Sequence, residues 1–133
     1  MSSPSEESRA RMARQTMAVL DQWQLNTDEI VTLLALPKKT RSTQLERFRR
    51  GEALPDDPPL IVRAEHIVGI ADALRTSFPR NSRIGARWLV TPHRRFRKRT
   101  PLSLMLEDGV NGLCRVRAEL DCSFSWRRSQ EDN

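Results

Sequence analysis

An all-α fold, a compact bundle of about six to seven helices, is predicted by three features of this 133-residue sequence. Tyr is absent and β-branched residues are scattered, with no run of strict apolar/polar alternation between turns. Apolar residues recur at spacings of three and four, the period of a helix face. Asn, Thr, Gly and Pro fall at segment ends, where caps and stops belong.

The elements follow in order. Residues 1–7 form a polar tail, expected to be disordered. From Ser8 onward, Met12, Thr16, Val19, Leu20 and Trp23 make one apolar face. Asn26 with Glu29 three residues later reads as a capping box, opening a helix with Ile30, Leu33 and Leu34 inward. Pro37 stops it. A third helix, about Thr40–Arg50, turns Leu45 and Phe48 to the core and closes at Gly51. EALPDDPP is the clearest linker.

Pro59 suits the first turn of the longest helix, which Leu60, Val62, Ile67, Ile70, Ala71, Leu74 and Phe78 carry to Pro79. Its many apolar positions predict a central helix buried on more than one side. Ser82 is expected to cap a short helix through Trp88 and Leu89. Thr100–Pro101 starts another, through Met105. Gly109 separates it from a last helix carrying Leu113, Val116 and Leu120. The division expected is 1–7 tail, 8–57 first module, 58–121 second module and 122–133 C-terminal tail.

The charge is +6, from 23 Lys/Arg against 17 Asp/Glu, with a pI near 10.6. That surplus favours polyanionic partners without saying which. The start has no apolar core of a secretory signal, and no window is apolar enough to span a bilayer. Cys114 and Cys122 have no metal-ligand spacing and read as reduced thiols, so the expected compartment is the cytoplasm, with no membrane contact and no cofactor. His66 and His93 are the only imidazoles, and neither has a Ser, Cys or carboxylate at a spacing that suggests activation. No phosphate-binding glycine motif occurs, so an enzyme is not expected.

Two stretches are candidates for function. Residues 26–51 give two short helices joined by a tight turn, the second basic, which is the outline of a helix-turn-helix reader of DNA. Lys38, Lys39 and Arg41 stand at the N-terminal end of the second helix, Gln44 suits adenine, and Arg47 and Arg50 follow on much the same face. The turn lacks the Gly often found in such units, and the competing reading is a solvated helix face.

The other stretch is RWLVTPHRRFRKRTPLSLM, residues 87–105, within an acid-free span between Asp72 and Glu107. Phe96 and His93 among the cations would suit a nucleic-acid arm. Its frame favours a protein partner: Trp88 and Leu89 precede Pro92, and Pro101, Leu102 and Met105 follow, clamping a short basic loop that includes Arg95. Core filling is an equal reading for Trp88.

From about Pro58 to Asp121 the chain resembles the toxin-binding domain of the Xre/MbcA/ParS antitoxins. Arg63 comes first, then IVGIADAL and Phe78–Pro79. Trp88–Leu89, Pro92, Phe96 and TPLSLM follow, and GVNGLCRVRAELD closes the pattern. The preceding module is similar to the Xre-like helix-turn-helix that usually precedes this domain. His93 stands where the family usually has Asn, and Arg97–Lys98 replace its usual glycine, whose backbone angles Lys and Arg resist. The resemblance implies a type II antitoxin that is not a catalyst. Its partner would be a RES-domain toxin acting on NAD, by degradation or ADP-ribosylation, whose pocket it covers. It further implies a homodimer that represses its own operon through operator DNA.

On this reading the toxin-facing residues are Trp88, Pro92, Arg95, Phe96, Pro101 and Leu102. The tail adds Trp126 with Arg127 and Arg128, either an aromatic anchor in the toxin cleft or a frayed end. The alternative is a helix-turn-helix repressor with no toxin partner.

Overall fold

The computed structural model of the chain describes residues 4–131, leaving out the side chains of Ser82 and of residues 123–131. Seven α-helices and one 3₁₀ turn are found among them, and no strand. The helices are α1 Glu6–Gln22, α2 Thr27–Leu34, α3 Ser42–Arg49, α4 Pro58–Ser77, α5 Ser82–Leu89, α6 Pro101–Asp108 and α7 Val110–Glu131. The chain divides into two compact units, Met1–Val68 and Gly69–Asn133.

In the first unit α1 starts earlier than expected, inside the stretch read as a tail. Ser5 accepts the Ser8 amide at 3.1 Å, and Glu6 and Glu7 occupy the first turn, where the helix dipole favours acids. The buried face of α1 is Ala13, Thr16, Met17, Val19, Leu20 and Trp23, with Met12 only half-buried. The capping box of α2 is present: Asn26 Oδ1 accepts from the Glu29 amide at 2.8 Å, and Glu29 Oε1 from the Asn26 amide at 3.0 Å. Ile30, Val31, Leu33 and Leu34 point inward from it.

Arg49 ties α3 to α1 through two bonds to the Asp21 carboxylate, 2.8 and 2.9 Å long. Those bonds hold the guanidinium pKa above its ordinary value, against the opposing effect of partial burial. Leu45 and Phe48 are buried beneath them.

The proline-rich linker is not a free tether. Leu54 is fully buried, its amide donates to Arg9 O at 3.3 Å, and its carbonyl accepts from Arg9 Nη1 at 2.9 Å. Composition marked the segment as irregular but could not show that one Leu in it belongs to the core.

Three helices of this unit end alike. Leu25, Leu36 and Glu52 each donate their amide to the carbonyl five residues back, at 3.2, 3.0 and 3.0 Å. The residue before each is left-handed: Gln24 at φ 60°, Ala35 at φ 54° and Gly51 at φ 102°. This is the closure that satisfies the last carbonyls of a helix. Ala35 therefore does, in the α2–α3 turn, what the missing Gly was expected to do.

α4 is buried along one broad face, where burial on more than one side was expected. Leu60, Ile61, Ala64, Ile67, Ile70, Ala71 and Leu74 are buried, while Val62 is 41% exposed and Glu65, Asp72 and Arg75 face solvent. Its first half belongs to the first unit, where Arg63 Nη1 donates to Leu33 O at 3.3 Å. The compact units part at Val68/Gly69, within α4.

In the second unit the cap of α5 is Asn81, accepting from the Arg83 amide at 3.0 Å, so Ser82 is the first helical residue and not the cap. Thr100 caps α6 as expected, with Pro101 at its start. Gly109, at φ 61° and ψ −135°, reverses the chain into α7. The two helices then approach so closely that a Cβ on Gly112 would overlap the Leu104 carbonyl and lie 3.1 Å from Met105 Cα. Leu113, Val116 and Leu120 fill the core beside them. α7 continues to Glu131, so most of the segment read as a tail from residue 122 extends this helix.

Candidate protein-binding site

The basic run becomes a loop that closes on itself. Five backbone hydrogen bonds of 2.9–3.2 Å lie within residues 93–99, two of them accepted by the His93 carbonyl. Arg94–Phe96 form the 3₁₀ turn, and His93 pairs with Arg99 as an isolated antiparallel bridge. Arg97 and Lys98 both adopt the left-handed conformation, at φ 56° and 68°. The backbone angles that glycine would supply are thus kept by two charged residues, at roughly 1 kcal/mol or more each.

Three rings hold this loop to the end of α5. Trp88 and His93 lie 4.9 Å apart at 35°, and Phe96 sits edge-on to both, at 6.3 and 6.2 Å. His93 Nε2 is 3.0 Å from Trp88 O. Phe96 is buried, with the Arg115 guanidinium of α7 5.7 Å from its ring centroid. His93 and Arg115 were not among the expected site residues. For His93 the sequence signals were its place with Phe96 among the cations and its standing where the family usually has Asn; Arg115 had none.

Charge in the loop is partly neutralised from α6 and α7. Arg95 Nε lies 3.2 Å from Glu119 of α7, and Arg99 meets Glu107 at 2.6 Å and Asp108 at 3.3 Å. Among the described residues this leaves Arg94, Arg97 and Lys98 exposed without an ion pair. Reading the acid-free span alone overstated the bare charge, since the countercharges come from α6 and α7. Trp88, His93, Arg94, Arg95, Phe96 and Glu119 surround an open depression of about 240 Å³. That space is large enough for one side chain and too small for a dinucleotide.

The expected partner-facing residues separate by burial. Trp88 is half-exposed, Pro92 and Arg95 are exposed, and Leu102 is half-buried. Phe96 and Pro101 are buried, so they shape the loop from beneath and offer a partner little surface of their own. Trp126, Arg127 and Arg128 have side chains outside the described residues.

The other expected group lies in the first unit. Lys38 and Lys39 sit in the turn before α3 rather than on it, and Arg41 is its N-cap residue with no capping hydrogen bond. Arg47 is exposed, and Arg50, also exposed, is 3.9 Å from Glu46. Gln44 donates to Glu52 at 2.7 Å, which occupies the amide expected to face outward. Lys38, Lys39 and Arg41 thus stand at the start of α3 and Arg47 and Arg50 at its end, while Arg49 is committed to α1.

Residues 73–122 match the family described as antitoxin Xre/MbcA/ParS C-terminal toxin-binding domain. No curated protein matches the chain. The matched span begins late on α4, takes in α5, the closed loop and α6, and ends on α7. Over those 50 of the 133 residues the second unit is similar to the toxin-binding domain of the Xre/MbcA/ParS antitoxins.

Proposed function

We propose that this chain is the antitoxin of a type II pair whose toxin has a RES domain and acts on NAD. It neutralises that toxin by covering the active-site pocket, without catalysis of its own. The observation that carries the proposal is the basic loop 93–99, held in one shape by its own backbone bonds and by Trp88 and Phe96, inside the matched span 73–122. A preformed, exposed loop suits binding to a folded protein, because little ordering entropy is lost on contact. A pocket for NAD must hold a pyrophosphate with amides or basic groups, while its rim is free to be acidic and to receive such a loop.

A second activity belongs to the same proposal. The cations before and along α3, Lys38, Lys39, Arg41, Arg47 and Arg50, are exposed and suit phosphate contacts in operator DNA. The antitoxin would then repress its own operon, as a homodimer.

The test is co-expression. The product of the adjacent reading frame should lower cellular NAD and stop growth when expressed alone, and do neither when this chain is present. A harmless neighbour would remove the antitoxin proposal and leave a repressor with no toxin partner.

A further inference from the structure

The solvent side of α5 carries large apolar side chains that the other helix faces of the second unit do not expose among the described residues. Ile84 is 47% exposed and Val90, at the helix end, 56%; the one other large exposed aliphatic among the described residues is Val62. Trp88, one turn after Ile84, is half-exposed. Arg83 and Arg87 are exposed on the same side and have no ion pair among the described residues. At 100° per residue the order around this side is Val90, Arg83, Arg87, Ile84, Trp88, so cationic and apolar groups interleave. Gly85 and Leu89 occupy the buried side, where Gly85 lets Leu74 Cβ approach to 3.5 Å of where its own Cβ would be.

The charge of the whole chain points the same way. Residues 1–68 hold ten Lys/Arg and ten Asp/Glu, whereas residues 69–133 hold thirteen and seven. The entire surplus of +6 therefore belongs to the second unit.

The geometry points to the outer side of α5 as the docking ridge, and to a partner protein whose contacting surface carries acidic side chains around apolar depressions. Three other occupants fit less well. A second copy related by a two-fold axis would set Arg83 and Arg87 against their own counterparts. Duplex DNA would contact the arginines but offer Ile84 and Val90 little beyond thymine methyls. A lipid surface needs a continuous apolar face to sink into it, and Arg87 interrupts this one. An acidic protein surface satisfies both kinds of group at once, the arginines steering encounter and the aliphatics slowing release. The inference rests on the proposed function, with the toxin as the partner, and it adds Ile84, Arg83 and Arg87 beside Trp88 to the surface that the partner meets.

Binding of the full chain to the purified product of the adjacent toxin gene tests it, using the variants R83E/R87E and I84D. Both change exposed residues, and circular dichroism with a thermal midpoint checks that each still folds. R83E/R87E is expected to lower the association rate by at least about tenfold and flatten its dependence on salt. I84D is expected to raise the dissociation rate. If the wild-type chain binds and both folded variants bind as it does, the ridge is overturned while the proposed function stands. If the wild-type chain does not bind that product, both fall. Parallel titrations use a short duplex DNA and phosphatidylglycerol vesicles. Tight binding to either, lost in the same variants while toxin binding persists, would reassign the ridge to nucleic acid or to lipid.

Discussion

Thr16 lies fully buried on α1, and its hydroxyl has no hydrogen-bond partner. The helix period counted it among the apolar residues of that face, and the structure uses it as one. A buried hydroxyl without a partner costs about 1–3 kcal/mol, and valine has nearly the same shape. Thr16→Val is therefore expected to stabilise the protein by about 1 kcal/mol, read as a raised midpoint in urea unfolding. A lowered midpoint would mean that the hydroxyl is bonded in solution. The opposite case is Arg97 and Lys98, whose type gives no hint of their left-handed backbone. Only the comparison with the family's glycine points there.

At the scale of elements, helix existence was legible because caps and periodicity agree. Asn26 with Glu29, Thr100 with Pro101, and Gly51 all stand where the sequence places them. Ends were less legible where the residue that turns the chain is not a glycine. Gln24 and Ala35 close α1 and α2 in the left-handed region, and neither type signals it. For α4, read as buried on more than one side, a count of apolar residues does not reveal that Val62 faces out. The α6–α7 pair gives the sharpest expectation at this scale. Gly112→Ala gains helix propensity but drives a methyl into the α6 backbone, and overpacking of that kind costs about 1–3 kcal/mol. Thermal unfolding of the variant should fall accordingly, and an unchanged midpoint would show that α6 yields freely.

For the whole molecule, the division of charge was present in the sequence but invisible until the unit boundary was known. The candidate site was half legible. The basic run and its frame of Trp88, Pro92 and Pro101 could be seen, whereas Glu119, Arg115 and Glu107 reach it from segments that no spacing rule connects. If the two proposed activities are separate, they should fail separately. Replacing Lys39 or Arg47 by Ala is expected to weaken operator binding and lower its salt slope by roughly one each. Neutralisation of the toxin should survive both changes, as co-expression would show. Loss of both activities together, in a protein that still folds, would end that division of labour. The closed loop 93–99 has a consequence in time. Its unfavourable backbone angles are settled when the chain folds, so under the proposed function an arriving partner meets a finished shape. Capture then waits on diffusion and orientation, not on a slow rearrangement of this loop.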